Sequence, residues 1–341
     1  MNKKVVVGIS GGVDSAVTAY LLLKEGYEVV GMTMQQFIDV PFLKDAEEIC
    51  DKLGIELKVV DMTETFKKEI MDYFAKEYLQ GRTPNPCSFC NPKIKWQALL
   101  STADSVGADY VATGHYAVVD CIDGKYAVKN SVTATKDQTY ALSFLSQDAL
   151  KRTLMPLGKY EKEEVREIAL KAGIPVATKA DSQDICFIPD GDYASFIGNG
   201  YSADKPGMFV DREGKIIGPN KGIIHYTIGQ RKGLGIAMGH PVFVTGIDAK
   251  NNRVVIGENE DLFTKEFFCS DLNFQLGTDE ELPKKLLCKI RYAHKGSECL
   301  LEKVDDNLYK GTFTEPVRAI TPGQTAVFYE DGYVFAGAVI E

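Results

Sequence analysis

Two groups of residues have the types and spacing to do chemistry. The first is Ser10-Gly11-Gly12-Val13-Asp14-Ser15, placed between the apolar run Val5–Ile9 and a helical pattern, Ser15–Lys24, that stops at Gly26. Two glycines let a chain turn tightly enough for successive N–H groups to face one concavity, and a helix starting there adds its partial positive charge, so the string reads as a phosphate cradle. A glycine turn with Asp14 or Ser15 as helix cap would account for the glycines alone. The whole S-G-G-x-D-S string directly after a buried strand favours phosphate. It is not the G-x-x-x-x-G-K-[ST] loop, because no lysine stands where the β- and γ-phosphates would be gripped.

The second group is sulfur. Of eight cysteines, Cys50 falls on the apolar stripe of a helix, and Cys121, Cys269, Cys288 and Cys299 lie in strand-like segments. All five read as small core residues, the usual place of a free thiol. Cys87, Cys90 and Cys186 differ. Cys87-Ser88-Phe89-Cys90 lies in a proline-rich loop that enters a helix, where a thiolate gains from the N-terminal dipole. C-x-x-C also serves zinc and redox sites, but no second C-x-x-C completes a four-cysteine zinc site.

The elements that must hold these groups alternate. Strands Val5–Ile9, Val29–Met34, Glu56–Val60 and Asp109–Thr113 are separated by helices Ser15–Lys24, Lys44–Leu53 and Phe66–Leu79 and by one expected to start at Pro92. Such alternation means βαβ units and a parallel sheet covered on both faces. Beyond about residue 200, glycine and proline become dense and short alternating runs such as Val254-Val255-Ile256 and Ala326-Val327-Phe328 take over, the pattern of small β-rich modules. The expected organisation is α/β: a doubly wound parallel-sheet domain over 1–200, a central β-rich domain over 201–265, and a C-terminal β-barrel over 266–341. The 341 residues suit two or three domains, and 45% hydrophobic with 26% charged residues excludes a disordered chain. No apolar run is long enough to span a bilayer, so a soluble cytoplasmic protein without membrane partners is expected. With 39 Lys and Arg against 48 Asp and Glu, the net charge is −9. RNA contact must therefore rest on local basic patches such as Lys284–Lys295 or Gln230-Arg231-Lys232, and DNA is not an expected partner.

The glycine string resembles the PP-loop of the adenylating ATP pyrophosphatases. Gly81-Arg82-Thr83-Pro84-Asn85-Pro86, Cys90-Asn91, Thr113-Gly114-His115-Tyr116, Lys136-Asp137-Gln138, Ile185-Cys186-Phe187-Ile188, Gly229–Gly235 and Thr321-Pro322-Gly323-Gln324 are, as a set, similar to the tRNA-specific 2-thiouridylases, essentially end to end. The resemblance implies that ATP adenylates the 2-carbonyl oxygen of the tRNA wobble uridine, and that sulfur then expels AMP. It assigns ATP, with Mg²⁺, to Gly8, Ile9, Ser10, Gly11, Gly12, Val13, Asp14, Ser15, Met34 and Gly114. It makes Cys90 and Cys186 the catalytic pair, with Asp14 of the loop counted among the catalytic residues, and Asn85, Pro86 and Cys87 the target-base loop. His115, Lys136, Asp137, Gln138, Arg291, Tyr292 and Gln324 match tRNA-contacting positions. The sulfur donor would be a persulfide carrier protein or sulfide.

The chain departs from the common family pattern at Cys87, where many members carry Asp. Two readings stay open. In one, Cys186 carries a persulfide and Cys90 releases its sulfur, leaving a disulfide. In the other, which the departure favours, Cys87, Cys90 and Cys186 hold three irons of a 4Fe–4S cluster whose fourth iron binds hydrosulfide. Outside thiolation, an AMP-forming ligase or amidase of a small molecule would leave the three cysteines and the β-rich third without a role. A non-catalytic iron–sulfur or RNA-binding protein would leave the intact loop without one.

Overall fold

The structure, a computed structural model, describes residues 3–36, 43–133, 135–176, 185–201 and 205–341. Strands β1 (Lys4–Gly8), β2 (Glu28–Gln35), β3 (Leu57–Asp61), β4 (Tyr110–Ala112) and, after the hairpin β5 (Val118–Ile122) and β6 (Lys125–Lys129), β7 (Thr153–Leu154) build the first domain. The sheet order is β3-β2-β1-β4-β7, and every neighbour pair is parallel. Alternate residues of one strand serve opposite faces. Val6, Val30, Met32 and Val111 pack with Phe66, Ile94, Trp96 and Leu99 on one side. Val5, Val7 and Val29 pack with Ala16, Val17, Ile49, Val165 and Ala169 on the other. The doubly wound reading of the apolar runs therefore holds. Strand order reverses between β1 and β4, and in open α/β sheets the crevice at the carboxyl ends of such strands is where ligands bind.

Four helical elements frame that crevice. Helix α1 (Val13–Lys24) follows β1 directly, and α2 (Leu43–Leu53) lies on the same face. Helix α3 spans 63–79 and α4 spans 86–106; each is continuous, with one π-wound stretch, Lys67–Met71 in the first and Asn91–Trp96 in the second. The expectation that Pro92 starts a helix is corrected. Asn85 is the N-cap, accepting from the Cys87 N–H at 3.2 Å, and Pro86 opens the helix. Pro92 lies inside it, within the π turn. A proline there removes one main-chain donor, and π winding re-registers the ladder around it. Beyond α5 (Gln147–Lys151), α6 (Lys162–Lys171) packs against α1.

After α7 (Tyr193–Tyr201), strands β8 (Gly207–Val210), β9 (Ile216–Asn220), β10 (Phe243–Asp248) and β11 (Arg253–Gly257) form one sheet in the order β10-β11-β8-β9. Strands β12 (Phe263–Phe274), β13 (Lys284–Lys289), β14 (Ser297–Asp305), β15 (Leu308–Arg318), β16 (Thr325–Glu330) and β17 (Tyr333–Ile340) then close on themselves through a β12–β17 pairing. The result is a six-stranded barrel around Phe313, Phe328 and Phe335. The first and last parts of the chain are knit together: hairpin β5–β6 extends the barrel sheet where Tyr333 pairs with Lys129. Cys50, Cys269, Cys288 and Cys299 are buried as expected, whereas Cys121 is exposed on β5. Its strand is the outermost of the extended sheet and has a neighbouring strand on one side only, and the expectation of a fifth core cysteine is corrected.

Candidate active site

Beyond Gly8 the chain turns at Gly11, whose φ of +74° suits glycine, and enters α1 with Gly12 as N-cap. Gly12 offers no side chain to the first N–H groups of the helix, which leaves them for a ligand. The turn is held from within: the Ser15 hydroxyl donates to the Gly12 carbonyl at 2.9 Å and accepts from the Ser10 N–H at 3.2 Å. Gly114, just past β4, backs onto this turn so closely that a Cβ there would stand 2.8 Å from the Asp14 carbonyl carbon and the Ser15 nitrogen. Loop, Met34 and Gly114 all border one cavity of about 650 Å³. The Thr33 hydroxyl on its wall is buried and has no hydrogen-bond partner among the described residues. An unanswered buried hydroxyl beside a row of free N–H groups fits a nucleotide.

Asp14 points into the same space, where it is the one carboxylate among the described lining residues. The Tyr116 hydroxyl donates to its Oδ1 at 2.8 Å, and the Lys162 ammonium lies 2.8 Å from both oxygens. Lys162 is 5% exposed and borders the cavity. It was invisible to sequence reasoning, because nothing near it in the chain marks it.

The sulfur chemistry opens into that cavity. Cys87 and Cys90 reach it from the first five residues of α4, and Cys186 borders it beside Phe187. Cys90 is 6% exposed, and burial, with smaller contributions from the neighbouring thiols, pushes its pKa up to about 12 against a counter-pull from Lys95. Cys186 presents surface to the cavity, yet the enclosing walls raise its pKa too, with Cys87 adding to the rise. Lys95 and the N–H groups of Cys186 and Phe187 oppose that shift. Both thiols are thus protonated at neutral pH until something changes in the cavity. Lys95 is another residue the sequence did not mark: it lies five places after Cys90, off any 3.6-residue stripe, but the π winding of Asn91–Trp96 brings it to the cavity.

The chain matches three family models in succession: a tRNA methyl transferase HUP domain over 3–190, a tRNA methyl transferase PRC-barrel domain over 195–258, and an aminomethyltransferase beta-barrel domain over 264–340. Curated relatives match over full length. The tRNA-specific 2-thiouridylase MnmA of Lachnoclostridium phytofermentans is 50% identical, with 99% of each chain covered. The protein of the same name from Clostridium acetobutylicum is 48% identical with both chains fully covered, and that from Clostridioides difficile 47% identical with 100% and 99% covered. The chain belongs to the tRNA-specific 2-thiouridylase family.

The positions that the thiouridylase resemblance marks for tRNA fall into two sets. His115, Lys136, Gln138 and Tyr292 border the cavity. The His115 ring accepts or donates through Nδ1 to the Thr113 hydroxyl at 2.9 Å and leans on Trp96. The Gln138 side-chain carbonyl accepts from the Tyr116 N–H at 2.9 Å. Tyr292 is 54% exposed at the rim, edge-on to Tyr140. The other set lies outside the lining. Asp137 organises its own loop, accepting from the Ser131 N–H at 2.9 Å and the Asn130 amide at 3.1 Å. Arg291 donates to the Arg318 carbonyl at 3.0 Å, and Gln324 to the Thr83 carbonyl at 2.7 Å. Asn85 is the cap described above, while Pro86 and Cys87 of the same thiouridylase loop border the cavity.

Among the described residues no three His, Cys, Asp or Glu side chains converge on a point that could hold a metal ion. Cys87, Cys90 and Cys186 share a cavity without converging into such a group. No helix among the described residues is long and apolar enough to cross a membrane.

Proposed function

We propose that the chain thiolates the wobble uridine of tRNA at C2, using ATP and a sulfur held on Cys186. The observation that carries this is the joining of an anion-binding loop and three cysteines in one cavity. The uracil 2-oxygen attacks the α-phosphate, and pyrophosphate leaves along the N–H groups of the loop, where developing charge is met by fixed donors. Mg²⁺ bound with the nucleotide supplies further charge neutralisation, and Asp14 is the lining carboxylate placed to hold it. The terminal sulfur of a Cys186 persulfide then adds to C2 and AMP departs with the oxygen. The Cys90 thiol gives up its proton, taken by the departing AMP phosphate, as its sulfur attacks the Cys186 sulfur and breaks that sulfur's bond to the transferred sulfur. The electron pair of that bond stays with the product as the thiocarbonyl, the two cysteines are oxidised to a disulfide, and an external thiol reduces them. The persulfide comes from a sulfur-carrier protein or from sulfide with an oxidant.

A small-molecule ligase would use the loop and leave the cysteines idle. Incubation with unmodified tRNA, ATP and a persulfide source, followed by nucleoside mass analysis, tests the proposal. Wild type is expected to form 2-thiouridine, and Cys186→Ser to form none while still releasing pyrophosphate in a tRNA-dependent way. Loss of both activities in Cys186→Ser would mean that sulfur delivery is misassigned. Anaerobically isolated protein carrying stoichiometric iron and sulfide that is required for turnover would replace the persulfide route with a cluster.

A further inference from the structure

The phosphate loop lacks the lysine that other phosphate loops carry, and the fold brings one from elsewhere. Lys162 opens α6, and its ammonium enters the cavity alongside Ser10–Ser15. The position is a poor one for a structural lysine. It is the first residue of a helix, where the dipole disfavours a cation, and its side chain is only 7% exposed, where burial of a long charged group is costly. The capping box of Glu161 and Glu164 already secures the helix end. A local rule broken twice at one residue beside a ligand cavity points to function rather than to fold.

We propose that Lys162 is the cation that grips the pyrophosphate portion of ATP, and that Asp14 holds it in reserve until the nucleotide arrives. This rests on the ATP-using reading above. The ammonium sits 2.8 Å from both Asp14 oxygens and over the Tyr116 ring at 5.6 Å. Asp14 lies in the first turn of α1, the same turn whose N–H groups face the cavity. A phosphate chain entering there brings more negative charge than one carboxylate. Lys162 therefore exchanges a carboxylate for phosphate oxygens within the same small volume, and Asp14 is released to face the metal-bearing side of the nucleotide. The competition between carboxylate and phosphate makes a prediction that a simple clamp between α1 and α6 does not: the two partners have opposite effects on anion binding.

The test is calorimetric titration of the full-length protein with ATP, adenosine and, in EDTA, inorganic pyrophosphate. Lys162→Met is expected to weaken ATP and pyrophosphate about tenfold or more, with adenosine affinity within about twofold of wild type. Asp14→Asn is expected to tighten metal-free pyrophosphate severalfold, because it removes the competing carboxylate, and Lys162→Arg to retain most of the binding. If Lys162→Met leaves pyrophosphate affinity unchanged, or if Lys162→Met and Asp14→Asn shift it in the same direction, the assignment is overturned. Should Lys162→Met fail to fold, the Asp14→Asn titration decides alone. Wild-type protein that binds neither ATP nor pyrophosphate would instead overturn the functional proposal on which this one rests.

Discussion

His115 shows how one residue is tuned by its place. Burial, and to a smaller extent the charge of Lys95, push its pKa down to about 3, so the ring is neutral and can accept as well as donate at the cavity wall. The folded-state value lies below the ordinary 6.5, so the unfolded chain takes up a proton that the folded chain refuses. Stability from this source is intact above about pH 6.5 and falls as pH drops towards about 3, by at most ~1.4 kcal/mol per pH unit. His115→Gln is expected to flatten that limb in denaturant titrations between pH 6.5 and 4. An unchanged slope would place the acid sensitivity elsewhere. Cys87 and Cys90 were legible as residues of interest from their immediate neighbours, and His115 and Cys186 from the family resemblance. Lys162, Lys95 and the Thr33 hydroxyl were not, because what distinguishes each is its surroundings.

At the scale of elements, the site depends on how closely β4 and α1 approach. Gly114 meets the Asp14–Ser15 backbone with no room for a methyl group, and backbone atoms, unlike a flexible side chain, cannot step aside. Gly114→Ala is expected to displace the phosphate loop and weaken ATP binding about tenfold or more, measured by nucleotide titration. Unaltered binding would show that the loop can yield without losing its donors. The helices and strands up to β4 were readable from periodicity to within a few residues, as ends usually are, whereas α6, which carries Lys162, was not read. The start of α4 was not readable in this way. Pro92 carries the usual sign of a first turn, but Asn85-Pro86 carries it as well, and only the pairing of the Asn85 oxygen with the Cys87 N–H decides between them. Consequently Cys87 and Cys90 lie within the first five residues of α4 rather than in a loop before it.

For the whole molecule, the turn that leads into α4, and so to Cys87 and Cys90, is fastened to the far end of the chain. Arg82 binds Glu77 at 2.7 Å, Glu341 at 2.7 Å and the Ile340 carbonyl at 3.1 Å. The Thr83 N–H donates to the Pro322 carbonyl at 2.8 Å, and the Thr325 hydroxyl meets the Ser88 hydroxyl at 3.1 Å in a buried contact. The barrel thus acts as an anvil for the turn that leads into α4. Arg82→Ala takes the guanidinium away from Glu77, while Glu341 keeps the Ser270 hydroxyl and the Ile340 carbonyl keeps the Gly323 N–H, and is expected to cost about 1–2 kcal/mol in denaturant unfolding, with a loss of thiolation exceeding any loss of ATP affinity. Equal losses in both would mean that the contact supports the fold alone.

What the sequence determined by itself was everything carried by neighbouring residues: the phosphate loop after the first strand, the βαβ alternation, the β-rich last third, and the C-x-x-C at a helix entrance. Each is a local pattern, and local sterics and periodicity suffice to write it. What the tertiary structure decided was which distant groups share a volume. Lys162 reaches Asp14 across 148 positions and Gln324 reaches Thr83 across 241. No propensity or spacing encodes such a meeting, because it follows from how packed sheets and helices exclude space. A charge buried by that packing acquires its role only once its partner is known.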